Sequence, residues 1–308
     1  MEVNELFKPL KELNKQERDY YLGRVEESER KMPSRQTCRK ISFPTLSVSF
    51  LLLMIFAAFF ADVLFPFDPS YMALTEKSLA PSSQHWSGTD SLGRDVFGMI
   101  LHGARISLLI GLASTAISMV MALAVGGSSA MLPGFFKRIL IRFTDICLSV
   151  PSILLMIFLQ GIMRESTWMS ISLSIGLSSW MTMAKMIRTQ IERIREEEYV
   201  LLARYYGGGW FYLLKRHFSQ TLVPVLSYMS FTGFGHAITA EATLSFLGIG
   251  LPLDTITWGT LLHLSSQALM TKAWWVIVIP GIFLVMTVVS LVEMGDFIRK
   301  RSGIEKNV

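Results

Sequence analysis

Few side chains in the apolar part of this chain could do chemistry. Asp62 and Asp145 stand near the ends of hydrophobic runs, His236 and Glu241 lie inside one, and Glu293 closes another. A lone imidazole can bind a transition metal or a proton, and a lone carboxylate can relay a proton or hold a cation. A third group is the polar run His85, Asp90, Asp95 and His102, whose residue types suit a metal but whose spacing does not force them together. Asp90, Arg94 and Asp95 are instead expected to tie down a loop, with Asp95 capping a following helix. Asp145 is expected to pair with Arg142, and Pro151 to kink its helix. His236 has no second histidine, cysteine or aspartate nearby, so packing competes with metal or cargo contact as its role. The 18 methionines are scattered and read as packing.

Three catalytic signatures are missing. No G-x-x-x-x-G-K-[ST] phosphate loop is present, nor an H-E-x-x-H zinc helix, nor a G-x-S-x-G elbow. An intramembrane enzyme therefore lacks its constellation. A proton-coupled pump lacks its buried relays, so energy for transport has to come from a partner. Cys38 and Cys147 make no disulfide framework and read as free thiols.

The elements that hold these residues are membrane helices. The chain has 308 residues, 51% hydrophobic and 17% charged, against about 25% charged in soluble domains. Six apolar segments are long enough to cross a core of roughly 30 Å, at 43–65, 104–132, 143–163, 167–187, 222–248 and 274–295. The second is rich in small residues (Gly111, Ala113, Ser114, Ala116, Ser118, Ala122, Gly126 and Gly127), which places it inside the bundle. The first forty residues are polar, with ten Lys/Arg and eight Asp/Glu, so the first apolar run reads as a retained anchor. With the N-terminus inside, 24 of the 29 Lys/Arg fall on the cytoplasmic side, which orients both termini there. The net charge of +5 and pI of 9.2 follow from topology, and nucleic acid is not needed as a partner.

One polar segment interrupts this pattern, EEEYVLLARYYGGGWFYLLKRHF, from Glu196 to Phe218. Helix is expected from Ala184 to Tyr206. Gly207, Gly208 and Gly209 then break it, and a short helix Trp210–Phe218 leads back to the membrane. Such a hairpin fits insertion into a partner's groove, or rests on lipid headgroups as an interfacial loop.

The same segment resembles the EAA loop of ABC importer permeases, with Glu198, Ala203 and Gly207 at its marked positions and Arg204 and Gly208 beside them. Leu202 and Gln220 depart from it, standing where alanine and proline are usual. GTDSLGRD, Gly88 to Asp95, resembles the external-loop signature of the second permease of peptide and nickel importers, through Gly88, Thr89, Asp90, Gly93, Arg94 and Asp95. RFTDICLSVPSILL and EATLSFLGIGLPLDTITWG resemble two further signatures of that subfamily.

The resemblance implies an all-α integral membrane protein of six transmembrane helices with the type I ABC importer permease (MetI-like) fold, in a bacterial cytoplasmic membrane. It divides the chain into a cytoplasmic segment 1–42, a transmembrane domain 43–297 and a tail 298–308, with an external loop 66–103 and a coupling loop 188–221. It implies a homologous second permease, two ABC ATPase subunits that use ATP and Mg2+, and an extracellular substrate-binding protein, with no cofactor and no metal held by this chain. The chain would then be a transport subunit and not an enzyme. Peptide, nickel and metal-chelate cargoes all occur in this subfamily. The compact loop between the second and third spans, Gln220 and the pair Gly235-His236 lean toward nickel or a metal chelate, with His236 on the cargo path. A passive channel or membrane scaffold is the competing class.

Overall fold

The computed structural model describes residues 43–66, 68, 71–197, 200, 219–265 and 273–302. Its elements are α1 (Thr45–Phe59), α2 (Ala61–Leu64), α3 (Val96–Ala122), a π-helical turn (Leu123–Gly127), α4 (Ser128–Met131), α5 (Gly134–Ser149), α6 (Ser152–Met163), α7 (Trp168–Glu196), α8 (Ser219–Phe246), α9 (Trp258–Ser265) and α10 (Trp275–Arg301). No extended strand occurs among the described residues; one isolated bridge joins Thr89 and Asp95.

Two helices are by themselves long and apolar enough to cross a membrane: the run Val96–Met131 and Trp275–Arg301. The expected third segment is not one straight helix. It is α5 and α6, bent by 91° at Val150–Pro151, and the pair qualifies only as a single broken span. Proline denies the helix an N–H and clashes with the preceding turn, which accounts for the break. The first segment yields a helix of 15 residues, shorter than a span. α7 and α8 have 29 and 28 residues, length enough, but serine, threonine and charge dilute their hydropathy.

The small residues of the second segment divide by face. Gly111, Ser114, Ser118, Ala122 and Gly126 are buried, three or four residues apart, as a helical stripe requires, while Ala113 and Gly127 are half-buried and Ala116 is exposed. The stripe lets α7 lie close. A side chain at Gly126 would put its Cβ 2.5 Å from the carbonyl oxygen of Ala184. The buried core then forms around α3, with Ile110, Ile171 and Ile175 in one cluster and Trp180, Ala184 and Ile187 in another. Trp258 is fully buried and donates its indole N–H to the carbonyl of Ile100, pinning α9 to α3.

Candidate functional site

The signature run Gly88–Asp95 folds into a cap over the start of α3. Asp90 organises it. Its Oδ1 accepts the backbone N–H of Leu92 at 2.8 Å and of Arg94 at 2.9 Å, and its Oδ2 accepts Arg94 Nε–H at 2.8 Å. Arg94 Nη2 lies 2.6 Å from the same Oδ2, in ion-pair contact without hydrogen-bond alignment. Both side chains are buried, 5% and 6% exposed, so each charge depends on the other.

Thr89 donates its hydroxyl to the carbonyl of Glu76 and accepts from Leu79 N–H, while its own carbonyl accepts from the Trp275 indole at 3.2 Å. The cap is thereby tied to α10, 186 residues away. Gly93 has φ +78° and lies against the backbone of Ala73, so only glycine fits there. Asp95 caps α3 by accepting from Gly98 N–H at 2.9 Å.

His85, Asp90, Asp95 and His102 do not converge. Asp95 Oδ2 sits 2.8 Å from His85 Nδ1, and His85 Nε2 sits 3.5 Å from Glu76. Asp90 is spent on Arg94. His102 turns to Asp62 at 3.6 Å and to the carbonyl of Phe65. Arg105 also bonds Asp62 at 3.0 Å and the carbonyls of Ala58 and Phe59, closing the end of α1. Composition gave no cue to that clamp, because a surface arginine 43 residues from its aspartate leaves no local pattern.

Inside the membrane run, Glu241 is fully buried among hydroxyls. It accepts from Thr257 at 2.8 Å, Ser245 at 2.9 Å and Ser107 at 3.2 Å, joining α8, α3 and the start of α9. Glu293 accepts a hydrogen bond from Ser47, linking α10 to α1. His236 is exposed on α8, and no hydrogen bond or ion pair holds it among the described residues.

The expected pair Arg142–Asp145 is absent. Both side chains are exposed on α5, and neither has a partner among the described residues.

At its C-terminal end, α7 stops earlier than expected. Glu197 is extended, with φ −68° and ψ 140°, so helix stops at Glu196 and does not run unbroken to Tyr206. Near this end Lys137 bonds Glu192 at 2.7 Å and Arg195 donates to the carbonyl of Ala130 at 2.7 Å, fastening α4 and α5 to α7. The coupling residues Glu198, Ala203, Arg204, Gly207 and Gly208 lie outside the described residues, as do the three-glycine break and the helix expected at Trp210–Phe218.

Among the described residues the arrangement holds no group of three or more metal-ligating side chains. It offers a cap of interlocked polar side chains over α3 and an apolar helix bundle with exposed polar groups along it. The family model for the binding-protein-dependent transport system inner membrane component matches residues 115–300. The oligopeptide transport system permease protein OppC of Bacillus subtilis (strain 168) is 32% identical, over 81% of this chain and 81% of its own length. Its dipeptide counterpart DppC from the same organism is 31% identical, over 80% and 77%. The nickel transport system permease protein NikC of Escherichia coli (strain K12) is 30% identical, over 76% and 84%. A helix bundle joined across its length to such relatives leaves one assignment: the chain belongs to the binding-protein-dependent inner membrane transport family, as a multi-pass cytoplasmic-membrane permease of the DppC, OppC and NikC kind.

Proposed function

We propose that this chain is the translocation subunit of an ATP-driven importer, crossing the membrane six times with both termini in the cytoplasm. The observation that carries this reading is the likeness to three permeases along more than three quarters of the chain. Charge supports the orientation, since Arg299, Lys300 and Arg301 end α10 and Arg193 and Arg195 end α7. α1, α3, the bent pair α5–α6, α7, α8 and α10 are the six crossings, with α1 completed by α2.

The chain makes no ATP site of its own. Two ABC ATPase subunits hydrolyse ATP with Mg2+, a homologous second permease completes the pore, and an extracellular binding protein delivers cargo. ATP binding closes the ATPase pair, and the segment around Glu198, Ala203, Arg204, Gly207 and Gly208 passes that motion to α7 and α8. The cap residues Gly88, Thr89, Asp90, Gly93, Arg94 and Asp95 form the external signature that holds the outer end of the pore.

The cargo is nickel or another transition metal as a chelate, the reading that Gln220 and Gly235-His236 favour. Peptide is the second reading, favoured by the named dipeptide and oligopeptide relatives. A passive channel or scaffold would purify without an ATPase and transport regardless of ATP.

The test is Gly207→Ile in cells carrying the whole importer. Loss of ATP-dependent uptake, together with weaker co-purification of the ATPase, is expected. Unchanged uptake with unchanged ATPase assembly refutes the coupling role.

A further inference from the structure

The elbow between α3 and α5 carries two adjacent phenylalanines in the open. Phe135 and Phe136 are 71% and 66% exposed, with ring centroids 6.1 Å apart, and they follow Gly134, whose φ is +60°. Arg138, in the same turn of α5, is exposed and has no partner among the described residues.

Two polar contacts fasten this elbow to the C-terminal end of α7. Lys137 bonds Glu192 at 2.7 Å, and Arg195 donates to the carbonyl of Ala130 at 2.7 Å, which satisfies one of the open carbonyls ending α4. Apolar packing continues the join, since Ala130, Ile191, Ile194 and Val200 belong to one buried cluster. Val200 is 1% exposed and stands two residues after Glu198, where the coupling segment begins. The elbow and the start of that segment therefore share a core.

The level of the elbow follows from α7. Its first charges after Trp168 are Lys185 and Arg188, so the apolar core reaches no further than Arg188. At 1.5 Å per residue, Glu192 lies about 6 Å and Arg195 about 10 Å past that point. A headgroup layer is roughly 5–8 Å thick on each side. The run Val96–Met131 agrees, because its 36 residues span about 54 Å, against roughly 40–45 Å for a bilayer with its headgroups. The acyl chains end short of the elbow, so they do not cover Phe135 and Phe136. A paired aromatic patch left in water marks a protein contact.

We propose that Phe135 and Phe136 are a second docking point for the ATPase subunit that meets the coupling segment, seated in an apolar groove whose rim is acidic towards Arg138. Position selects the occupant: whatever binds the segment after Val200 stands against the elbow that shares its core. Gripping both, it moves α5 together with α7 through the Lys137–Glu192 and Arg195–Ala130 contacts. The inference rests on the importer reading for the existence of an ATPase partner.

Photocrosslinking tests it without knowledge of the cargo. In cells carrying the whole importer, Phe135 or Phe136 is replaced by p-benzoyl-phenylalanine, membranes are irradiated, and adducts of the full chain are identified by mass spectrometry. The same replacement of Tyr206, inside the coupling segment, is the reference. Positions 135 and 136 are expected to capture the subunit that carries the phosphate-loop motif. If position 206 captures that subunit while 135 and 136 give only phospholipid adducts, second-permease adducts or none, the docking point is overturned and the importer reading stands. An ATPase that co-purifies but is captured at none of the three positions overturns the docking point as well. If no ATPase co-purifies or is captured at all, the importer reading fails and takes this inference with it.

Binding gives the second measurement. Phe135→Ala/Phe136→Ala is expected to weaken retention of the ATPase about ten-fold, as loss of an aromatic anchor does, and Phe135→Leu/Phe136→Leu to keep most of it. Melting of the chain alone should not change, since neither ring is buried. Arg138→Glu is expected to weaken retention at low salt and to matter less at high salt. Retention indifferent to the alanine pair refutes the docking point, and retention indifferent to Arg138→Glu refutes the acidic rim.

Discussion

Asp90→Ala is the perturbation whose size the structure fixes best. The substitution removes the acceptor of three hydrogen bonds, from Leu92 N, Arg94 N and Arg94 Nε. It also leaves the Arg94 guanidinium buried at 6% exposure without its counter-charge. Removing one partner of a buried ion pair costs about 3–5 kcal/mol, far more than the pair itself contributes over apolar packing. The cap lies outside the bundle, so the loss should appear as local opening of residues 76–96 rather than as collapse of the helices. Hydrogen-exchange mass spectrometry of the detergent-purified chain reads this directly. A loss of 3 kcal/mol speeds exchange in that peptide by about 150-fold, with α7 unchanged. Asp90→Ala/Arg94→Met removes both charges and should recover more than half of the loss, since no orphaned charge remains. Exchange within about two-fold of the parent in Asp90→Ala refutes the clamp. A double variant as loose as the single one shows that the backbone contacts, not the stranded guanidinium, dominate.

Two further outcomes test the packing. Gly126→Val should force α3 and α7 apart at Ala184 and lose about 1–3 kcal/mol, seen as a lower midpoint for heat-induced loss of the monodisperse peak. Gly127→Val, whose Cβ meets nothing within 4 Å, is the control, and equal losses would show that helix propensity rather than contact sets the effect. Glu241→Leu strands the hydroxyls of Ser107, Ser245 and Thr257, at about 1–3 kcal/mol for each that finds no new acceptor. Glu241→Gln keeps a carbonyl acceptor and should melt close to the parent, so equal melting of the two variants refutes the network.

Helix existence was legible because membrane helices announce themselves by long apolar runs; the small residues of the second run pointed inward as a group, but which of them face the bundle was not read. Breaks were less legible. Pro151 marked a kink, but the 91° turn needed the packing of α6 along α7. The π-helical turn at Leu123–Gly127 had only its paired glycines as a signal. The end of α7 was placed ten residues too late, because Glu197–Tyr206 keeps helical composition while Glu197 adopts extended backbone. Local propensity does not register that competition.

Asp90, Arg94 and Asp95 tie down a loop, as expected, although the two aspartates are residue types that would also suit a metal. Asp90, Arg94, Asp95 and His85, the densest cluster of ligand-type side chains, are consumed by one another in building the cap, so nothing in them is left for cargo. Asp145, expected to pair with Arg142, and His236, expected on the cargo path, are exposed and have no partner among the described residues. The difference is energetic. A titratable group outside the membrane gains by pairing with any near neighbour, whereas inside it an unpaired one persists only where water or a ligand meets it.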